Sequence, residues 1–401
     1  MDNLSVEELA LQRKRFAHLS DDEFRFMLQQ VEGRQRTRDK LPTFAQIEDW
    51  WYPVRLSCEQ CSSEATARYK AHLLQQIIQQ SFTLVDLTGG YGVDTFFLSE
   101  HAKEAHYVER NEELCRIVAH NFCKIRPQVQ IHNTNSIHYL QDMSACDVVY
   151  IDPARRDQHG GKVFRLEDCE PNIIEVLPTL RSKSRNIIIK LSPMLDITQA
   201  LHSLEGKWDV HIVAIKNEVK EVLLLSRTSR DLQDNSPKGY RRDTEGIVHA
   251  VNLPSHVFPD TLPTSFVFSR EEEHAAECQF YNTFQKHLIE PGAYIYEPNA
   301  TIIKAGAFKL IANRYSLCKM APNTHLYLAE QLIEDFPGRV WQIIESNIKD
   351  TKNISANILT RNYPLSPDQL RKKLKLKDSD THTIIGARLA DKPTLFLCKK
   401  I

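Results

Sequence analysis

Between residues 84 and 226 the chain alternates short apolar runs with stretches of helical spacing. The runs are Leu84–Leu87, Ala105–Glu109, Val129–Asn133, Val148–Ile151, Asn186–Lys190, Val210–Lys216 and Val219–Ser226. Continuous apolar runs bounded by turn residues predict strands buried on both faces, and their alternation with helices predicts a mostly parallel sheet covered on both sides. Only Asn217-Glu218 separates the last two runs, which predicts a hairpin. Upstream, Phe24–Val31 and Thr66–Ile78 carry apolar residues at three- and four-residue steps without strand-like alternation, so residues 1–80 read as a helical lobe. Downstream, the polar stretch Asp231–Gly239 reads as a linker. Beyond it Gly246–Leu253 and Ser265–Phe268 look like strands and Ala300–Arg314 like a helix. The expected organisation is a helical lobe over 1–80, an α/β domain over 81–232, a middle α+β segment over 233–335 and a C-terminal segment over 336–401.

The first apolar run breaks into Asp86-Leu87-Thr88-Gly89-Gly90-Tyr91-Gly92-Val93-Asp94, a glycine turn that enters a helix near Asp94. A backbone that passes close beneath a ligand cannot carry Cβ atoms there, and glycine also supplies the positive φ of tight turns. Gly89, Gly90 and Gly92 fit both needs. Thr95 stands where a dinucleotide fingerprint requires its third glycine, and no Lys-Ser/Thr follows, so dehydrogenase and phosphate-loop readings drop. The second strand ends on Glu109, 17 residues past Gly92, near the spacing at which α/β nucleotide sites place the acid that accepts from ribose hydroxyls. The third leads through Asn135 into a helix, and the fourth ends on Asp152-Pro153-Ala154-Arg155-Arg156. Four strand ends thereby face one crevice.

This order of motifs, over residues of about 57 to 230, resembles the class I S-adenosylmethionine-dependent methyltransferases. Their first motif is Asp-x-(Gly)-x-Gly-x-Gly and their fourth Asp/Asn-Pro-Pro-aromatic. Thr88 stands in place of the first glycine, and Ala154-Arg155 in place of the Pro-aromatic pair. With its C-terminal segment the chain is similar to bacterial members that carry a THUMP-like domain. The resemblance implies a Rossmann-like sheet with an antiparallel seventh strand, S-adenosylmethionine as cofactor, and a C-terminal α+β THUMP-like domain. It implies that Glu109 holds the ribose, that Thr88, Gly89, Gly90 and Gly92 cradle the amino-acid end, and that Asp86 supports the turn or accepts from the cofactor's ammonium. Asn135 either bonds the adenine amino group or is a turn residue. Gln60, Ser62, Ser63 and Lys70 either cap the helix leading to the first strand or lean over the cofactor.

Asp152 and the carbonyls beside Pro153 form acceptors suited to an exocyclic amine, with Asp152 also next to the cofactor. Held by its N–H groups, the amine aims its lone pair at the methyl group, and no strong base is required. Arg155 replaces the family's aromatic by its planar guanidinium or binds a phosphate, and Phe164 is a candidate for the missing ring. Uracil-C5 methyltransferases carry Asp-Pro-Pro-Arg here but need a nucleophilic cysteine. The next strand ends Lys190-Leu191-Ser192-Pro193, leaving Cys169 as the thiol still open to that role.

Composition adds three constraints. No apolar run approaches the roughly 20 residues that span a bilayer, and the N-terminus lacks a basic start and an apolar core segment, so a cytoplasmic protein without a membrane partner is expected. The nine cysteines are scattered, which suits reduced thiols, and Cys58-x-x-Cys61 lacks a second ligand pair, so no metal is expected. Charge is segregated: Arg339–Ile401 holds 13 Lys or Arg against 6 Asp or Glu, in a chain whose net charge is −1. Arg371, Lys372, Lys373, Lys375 and Lys377 interleave with leucines, giving a solvated helix face or a phosphate-contacting patch. The function read from these residues is methylation of a base nitrogen in transfer or ribosomal RNA. Its alternatives are a non-catalytic RNA-binding protein that keeps the fold, or a methyltransferase for a small molecule or protein.

Overall fold

The computed structural model describes residues 5–155, 165–227, 246–254, 263–348, 354–379 and 381–401. Two compact units make up the chain: Met1–Val213 with Lys220–Thr244 and Leu253–Pro263, and Ala214–Val219 with Glu245–Asn252 and Thr264–Ile401.

The first unit begins with helices α1 (Val6–Leu11), α2 (Asp21–Thr37), α3 (Pro42–Gln46), α4 (Arg55–Gln60) and α5 (Glu64–Ile77). Local chemistry starts them: Ser5 and Ser20 each form a capping box, and Ser63 accepts from the Thr66 N–H at the start of α5. The sheet then follows as β1 (Phe82–Asp86), α6 (Val93–Leu98), β2 (Ala102–Glu109), α7 (Glu112–Phe122), β3 (Val129–Asn133), α8 (Ser136–Asp142) and β4 (Cys146–Ile151). Two short strands, β5 (Ala154–Arg155) and β6 (Cys169–Glu170), pair antiparallel before α9 (Ile173–Lys183), β7 (Ser184–Leu191), α10 (Ile197–Ser203), β8 (Asp209–Ile215) and β9 (Glu218–Arg227). Side by side the order is β8-β9-β7-β4-β1-β2-β3. The strands from β3 to β7 are parallel and β9 runs antiparallel to β7, the final-strand reversal that the resemblance implies. Lys216 and Asn217, both with positive φ, make the two-residue turn between β8 and β9. Every strand expected in this region is present, with no end more than three residues from those the apolar runs mark.

The second unit holds the antiparallel pair β10 (Ile247–Leu253) and β11 (Thr264–Ser269), then α11 (Arg270–Ala275), β12 (Gln279–Phe280), β13 (Tyr294–Pro298), α12 (Ala300–Ala305) and α13 (Phe308–Arg314). Gly306, at φ +78°, divides the helical stretch expected over Ala300–Arg314 into α12 and α13. There follow β14 (Cys318–Ala321), β15 (Thr324–Ala329), β16 (Gly338–Ser346), β17 (Asn357–Arg361), α14 (Pro367–Leu374), β18 (His382–Leu389) and β19 (Lys392–Lys400). Eight strands form one sheet in the order β12-β14-β15-β13-β16-β19-β18-β17. Its core joins Ile295, Leu326 and Leu328 to Trp341, Ile385 and Phe396, so the stretches on either side of residue 336 share one sheet and one core. The linker expected over Asp231–Gly239 lies outside the described residues. Among the described residues no helix is long and apolar enough to cross a membrane.

Candidate active site

The carboxyl ends of β1, β2, β3, β4 and β7 open onto a cavity of about 410 Å³, walled on one side by Ser57, Gln60, Cys61 and Ser62 of the helical lobe. Open α/β sheets place ligands at this edge.

The turn after β1 is tied on three sides. Asp86, almost fully buried, accepts from the Thr88 N–H at 3.0 Å and the Thr95 hydroxyl at 2.5 Å, which fastens the turn to α6. Burial pushes the Asp86 carboxyl up to about 7, the bonds from Thr95 and Thr88 opposing it. Thr88, in place of the family's glycine, accepts from the Asp152 N–H through its hydroxyl at 2.6 Å and so links the ends of β1 and β4. Glu109 accepts from the Gly90 N–H at 3.0 Å and the Asn111 N–H at 2.9 Å, and the Tyr107 hydroxyl donates to the Gly90 carbonyl at 2.5 Å.

The glycines are required for different reasons. A Cβ on Gly89 would stand 2.1 Å from the Tyr107 ring, so this position is small because the protein's own tyrosine fills the space. Gly90 has φ +52° and no atom closer than 4.0 Å to its missing Cβ, which leaves its face clear toward the cavity. Gly92, at φ +80°, starts α6. A nucleoside with a short charged tail fits this arrangement: a clear backbone turn, with a carboxylate beside it at the end of β2.

Of the expected site residues, the cavity brings together Asp86, Thr88, Gly89, Gly90, Gly92, Glu109, Asn135, Asp152 and Pro153. Asn135 accepts from the Ile137 N–H at 2.8 Å and caps α8, the turn role considered for it, while still lining the cavity. Ser63 caps α5, whereas Gln60 and Ser62 line the wall. Arg155 contributes its backbone to the β5–β6 pair. Phe164 lies outside the described residues. Cys169 is fully buried, and burial beside Asp168 and Glu167 pushes its thiol up to about 12, which removes it as a nucleophile. Among the described residues no group of three or more His, Cys, Asp or Glu side chains is placed to hold a metal ion.

Sequence reasoning passes over a buried set of charges behind the cavity. Lys190, at the end of β7, donates to Asp152 Oδ2 at 2.6 Å and Ser62 Oγ at 3.0 Å and stands 3.7 Å from Asp94. Lys70 of α5, fully buried, donates to both oxygens of Glu221 at 2.7 and 2.8 Å and lies 3.1 Å from Asp94. The Tyr150 hydroxyl and Ser62 each donate to Asp94 at 2.7 Å. Burial alone would raise the Asp94 carboxyl, but Lys70 and Lys190 hold it down to about 2. For Lys190 burial works the other way, and Asp152, Asp94 and Glu221 outweigh it, keeping the ammonium charged well above the ordinary lysine range. A lysine ending the buried run Ile187-Ile188-Ile189 is the signal that was available.

In the second unit, Ser366 starts α14 with a capping box to Gln369, and Leu370 and Leu376 turn into the core. Arg371 pairs with Asp378, while Lys372, Lys373, Lys375 and Lys377 are exposed.

Comparison with known proteins agrees with this architecture. Two family models match the C-terminal part, a ferredoxin-like domain over residues 294–337 and a THUMP domain-like module over 338–400. A protein of Porphyromonas gingivalis W83, assigned as a methyltransferase and solved by crystallography, is 32% identical, with a TM-score of 0.81 over 100% of this chain and 95% of its own. An uncharacterized S-adenosylmethionine-dependent methyltransferase of Mycobacterium tuberculosis is 21% identical over 364 residues, covering 87% of this chain and 89% of the relative.

Proposed function

Because the chain belongs to the S-adenosylmethionine-dependent methyltransferases, we propose that it methylates a base nitrogen, an exocyclic amine, in transfer or ribosomal RNA by direct in-line transfer in the cytoplasm. The observation that best supports this is Asp152: a carboxylate at the end of β4, bonded to Lys190 on one oxygen, with its side chain 38% exposed in the cavity that holds the glycine turn and Glu109.

S-adenosylmethionine, when bound, supplies a methyl group on a positively charged sulfur. Glu109 would hold its ribose, and Thr88, Gly89, Gly90 and Gly92 its amino-acid end. Asp86 keeps the turn closed, and Asn135, which caps α8, would bond the adenine amino group. Asp152 and the carbonyls beside Pro153 accept from the N–H groups of the amine to be methylated, which fixes its lone pair toward the turn. Orientation of this kind supplies most of the rate, and the proton departs after transfer. Cys169 is buried with its thiol pushed up to about 12, which weighs against covalent attack on a base carbon. Arg155 would stack on the displaced base or bind a phosphate, and Phe164 is the candidate for the stacking ring. The THUMP domain-like module and the exposed lysines at the end of α14 and just past it support RNA as the partner, its phosphates meeting Lys372, Lys373, Lys375 and Lys377 with Arg371.

Nucleoside mass spectrometry of transfer and ribosomal RNA from cells lacking the gene tests this. One methylated nucleoside should be missing, returning with the native chain and not with Asp152→Ala. An unchanged nucleoside profile rejects RNA as the substrate.

A further inference from the structure

We infer that Lys190 is a positioning residue for methyl transfer: its ammonium holds the Asp152 carboxylate in the one orientation that presents Oδ1 to the acceptor amine. This rests on the reading of Asp152 given above.

Neighbouring parallel strands place the pair. Ile151 of β4 is in register with Ile189 of β7, so Asp152 and Lys190 follow side by side at the same edge of the sheet. The ammonium donates two hydrogen bonds, to Asp152 at 2.6 Å and to Ser62 at 3.0 Å, and pairs electrostatically with Asp94 at 3.7 Å. A lysine placed only to neutralise Asp94 has no need of Asp152, because Asp94 already has Lys70 at 3.1 Å and donors in Ser62 and Tyr150. The shortest contact of Lys190 goes to Asp152 instead. Among the five charged groups, two lysines face three carboxylates, and Asp152 is the member whose side chain is most open to the cavity, at 38% against 13% or less for the other four. Without Lys190, Asp152 would lose the cation that fixes its rotamer. Bonded on Oδ2, the carboxylate turns its other oxygen to the substrate. Lys190 is not a proton acceptor in this scheme, since the surrounding carboxylates keep its ammonium charged.

The test is a double-mutant cycle in single-turnover methyl transfer, using RNA from cells lacking the gene and isotopically labelled S-adenosylmethionine. In the native background Lys190→Met should lower kcat by about a hundredfold, the penalty of a misplacement near 1 Å, with cofactor affinity held within about threefold. Lys190→Arg should recover most of that loss. Asp152→Asn keeps a neutral acceptor and a residual rate, and in that background Lys190→Met should change the rate by less than about threefold, because a residue acting through Asp152 has nothing left to act on. A native-background kcat within about threefold, or penalties that multiply in the double variant, overturns the inference. Should Lys190→Met fail to bind the cofactor, Ser62→Ala takes its place in the cycle. That change removes one acceptor of the ammonium and no charge, and should slow transfer in the native background alone. Full activity in Asp152→Asn and Asp152→Ala would sink the reading of Asp152 itself, whereas their loss beside an unaffected Lys190→Met sinks only the role of Lys190.

Discussion

Replacing Glu109 by alanine is the most direct probe of the cofactor site, because two of the carboxylate's acceptor positions are already engaged. It takes the Gly90 N–H at 3.0 Å and the Asn111 N–H at 2.9 Å, which fixes its orientation at the end of β2. A carboxylate offers about four acceptor positions, so two remain for the ribose hydroxyls. Hydrogen bonds to a charged partner contribute roughly 1.5 to 3 kcal/mol each, and losing two weakens S-adenosylhomocysteine binding by roughly 3 to 6 kcal/mol, about a hundredfold to ten-thousandfold. Glu109→Gln should be little better, since its amide nitrogen would face one of the two backbone N–H donors. Titration calorimetry with S-adenosylhomocysteine and with its 2′-deoxy and 3′-deoxy forms separates ribose contact from support of the turn. Each missing hydroxyl should weaken binding to the native protein and make no difference to the alanine variant. Native affinity in Glu109→Ala, or equal sensitivity to the missing hydroxyls in both proteins, refutes the ribose assignment.

Two further outcomes follow from charges elsewhere. Lys70→Met leaves Glu221 buried without its cation, and loss of one member of a buried pair should destabilise the protein by roughly 3 to 5 kcal/mol, read as a lower urea midpoint at an unchanged slope. Charge reversal of Arg371, Lys372, Lys373, Lys375 and Lys377 should weaken RNA binding and flatten its salt dependence, each phosphate contact contributing a slope of roughly −0.7 on single strands. Filter binding across salt concentrations reads both, and an unchanged slope returns the cluster to a solvated helix face.

The sheet was legible because its strands are buried on both faces and therefore appear as uninterrupted apolar runs. Val129–Asn133 matches β3 at both ends, and Val148–Ile151 falls two residues short of β4 because Cys146 and Asp147 lie at the less buried end of the strand. The site was legible wherever it is local: the glycine turn, the acid ending β2 and Asp152 all sit within motifs a few residues long. Gly89 shows the limit of that reading, since its small size answers to Tyr107, 18 residues later, as much as to any ligand. From the sequence Asn135 suits two roles equally, because a helix cap and an adenine contact call for the same side chain. The charge set was not legible, since Lys70 and Glu221 are 151 positions apart and nothing in the spacing of either announces the other. Lys70 falls on the regular apolar face of its helix, where the period calls for a hydrophobic residue. A lysine there is itself the clue, because full burial of that side chain demands a partner.

That lysine also explains why the helical lobe accompanies the sheet. The expected boundary at residue 80 marks a change from helices to strands, and the core continues across it. Phe44 packs on Phe96 and Phe97, with ring centroids 5.0 and 6.1 Å away, and the Trp50 indole N–H donates to the Tyr91 hydroxyl at 2.8 Å. Tyr91 belongs to the glycine turn, so the lobe reaches that turn directly. Ser62 carries the connection further, because it donates to Asp94, which lies in the first turn of α6, and accepts from Lys190, the partner of Asp152. The lobe therefore supplies a wall of the cavity and one of the two cations that make its buried carboxylates tolerable. A sheet of this kind needs neither in order to fold its parallel strands. Both serve to hold the Asp152 carboxylate at the end of β4 close to the glycine turn, and they account for a lysine, Lys70, at a helix position otherwise suited to an apolar side chain.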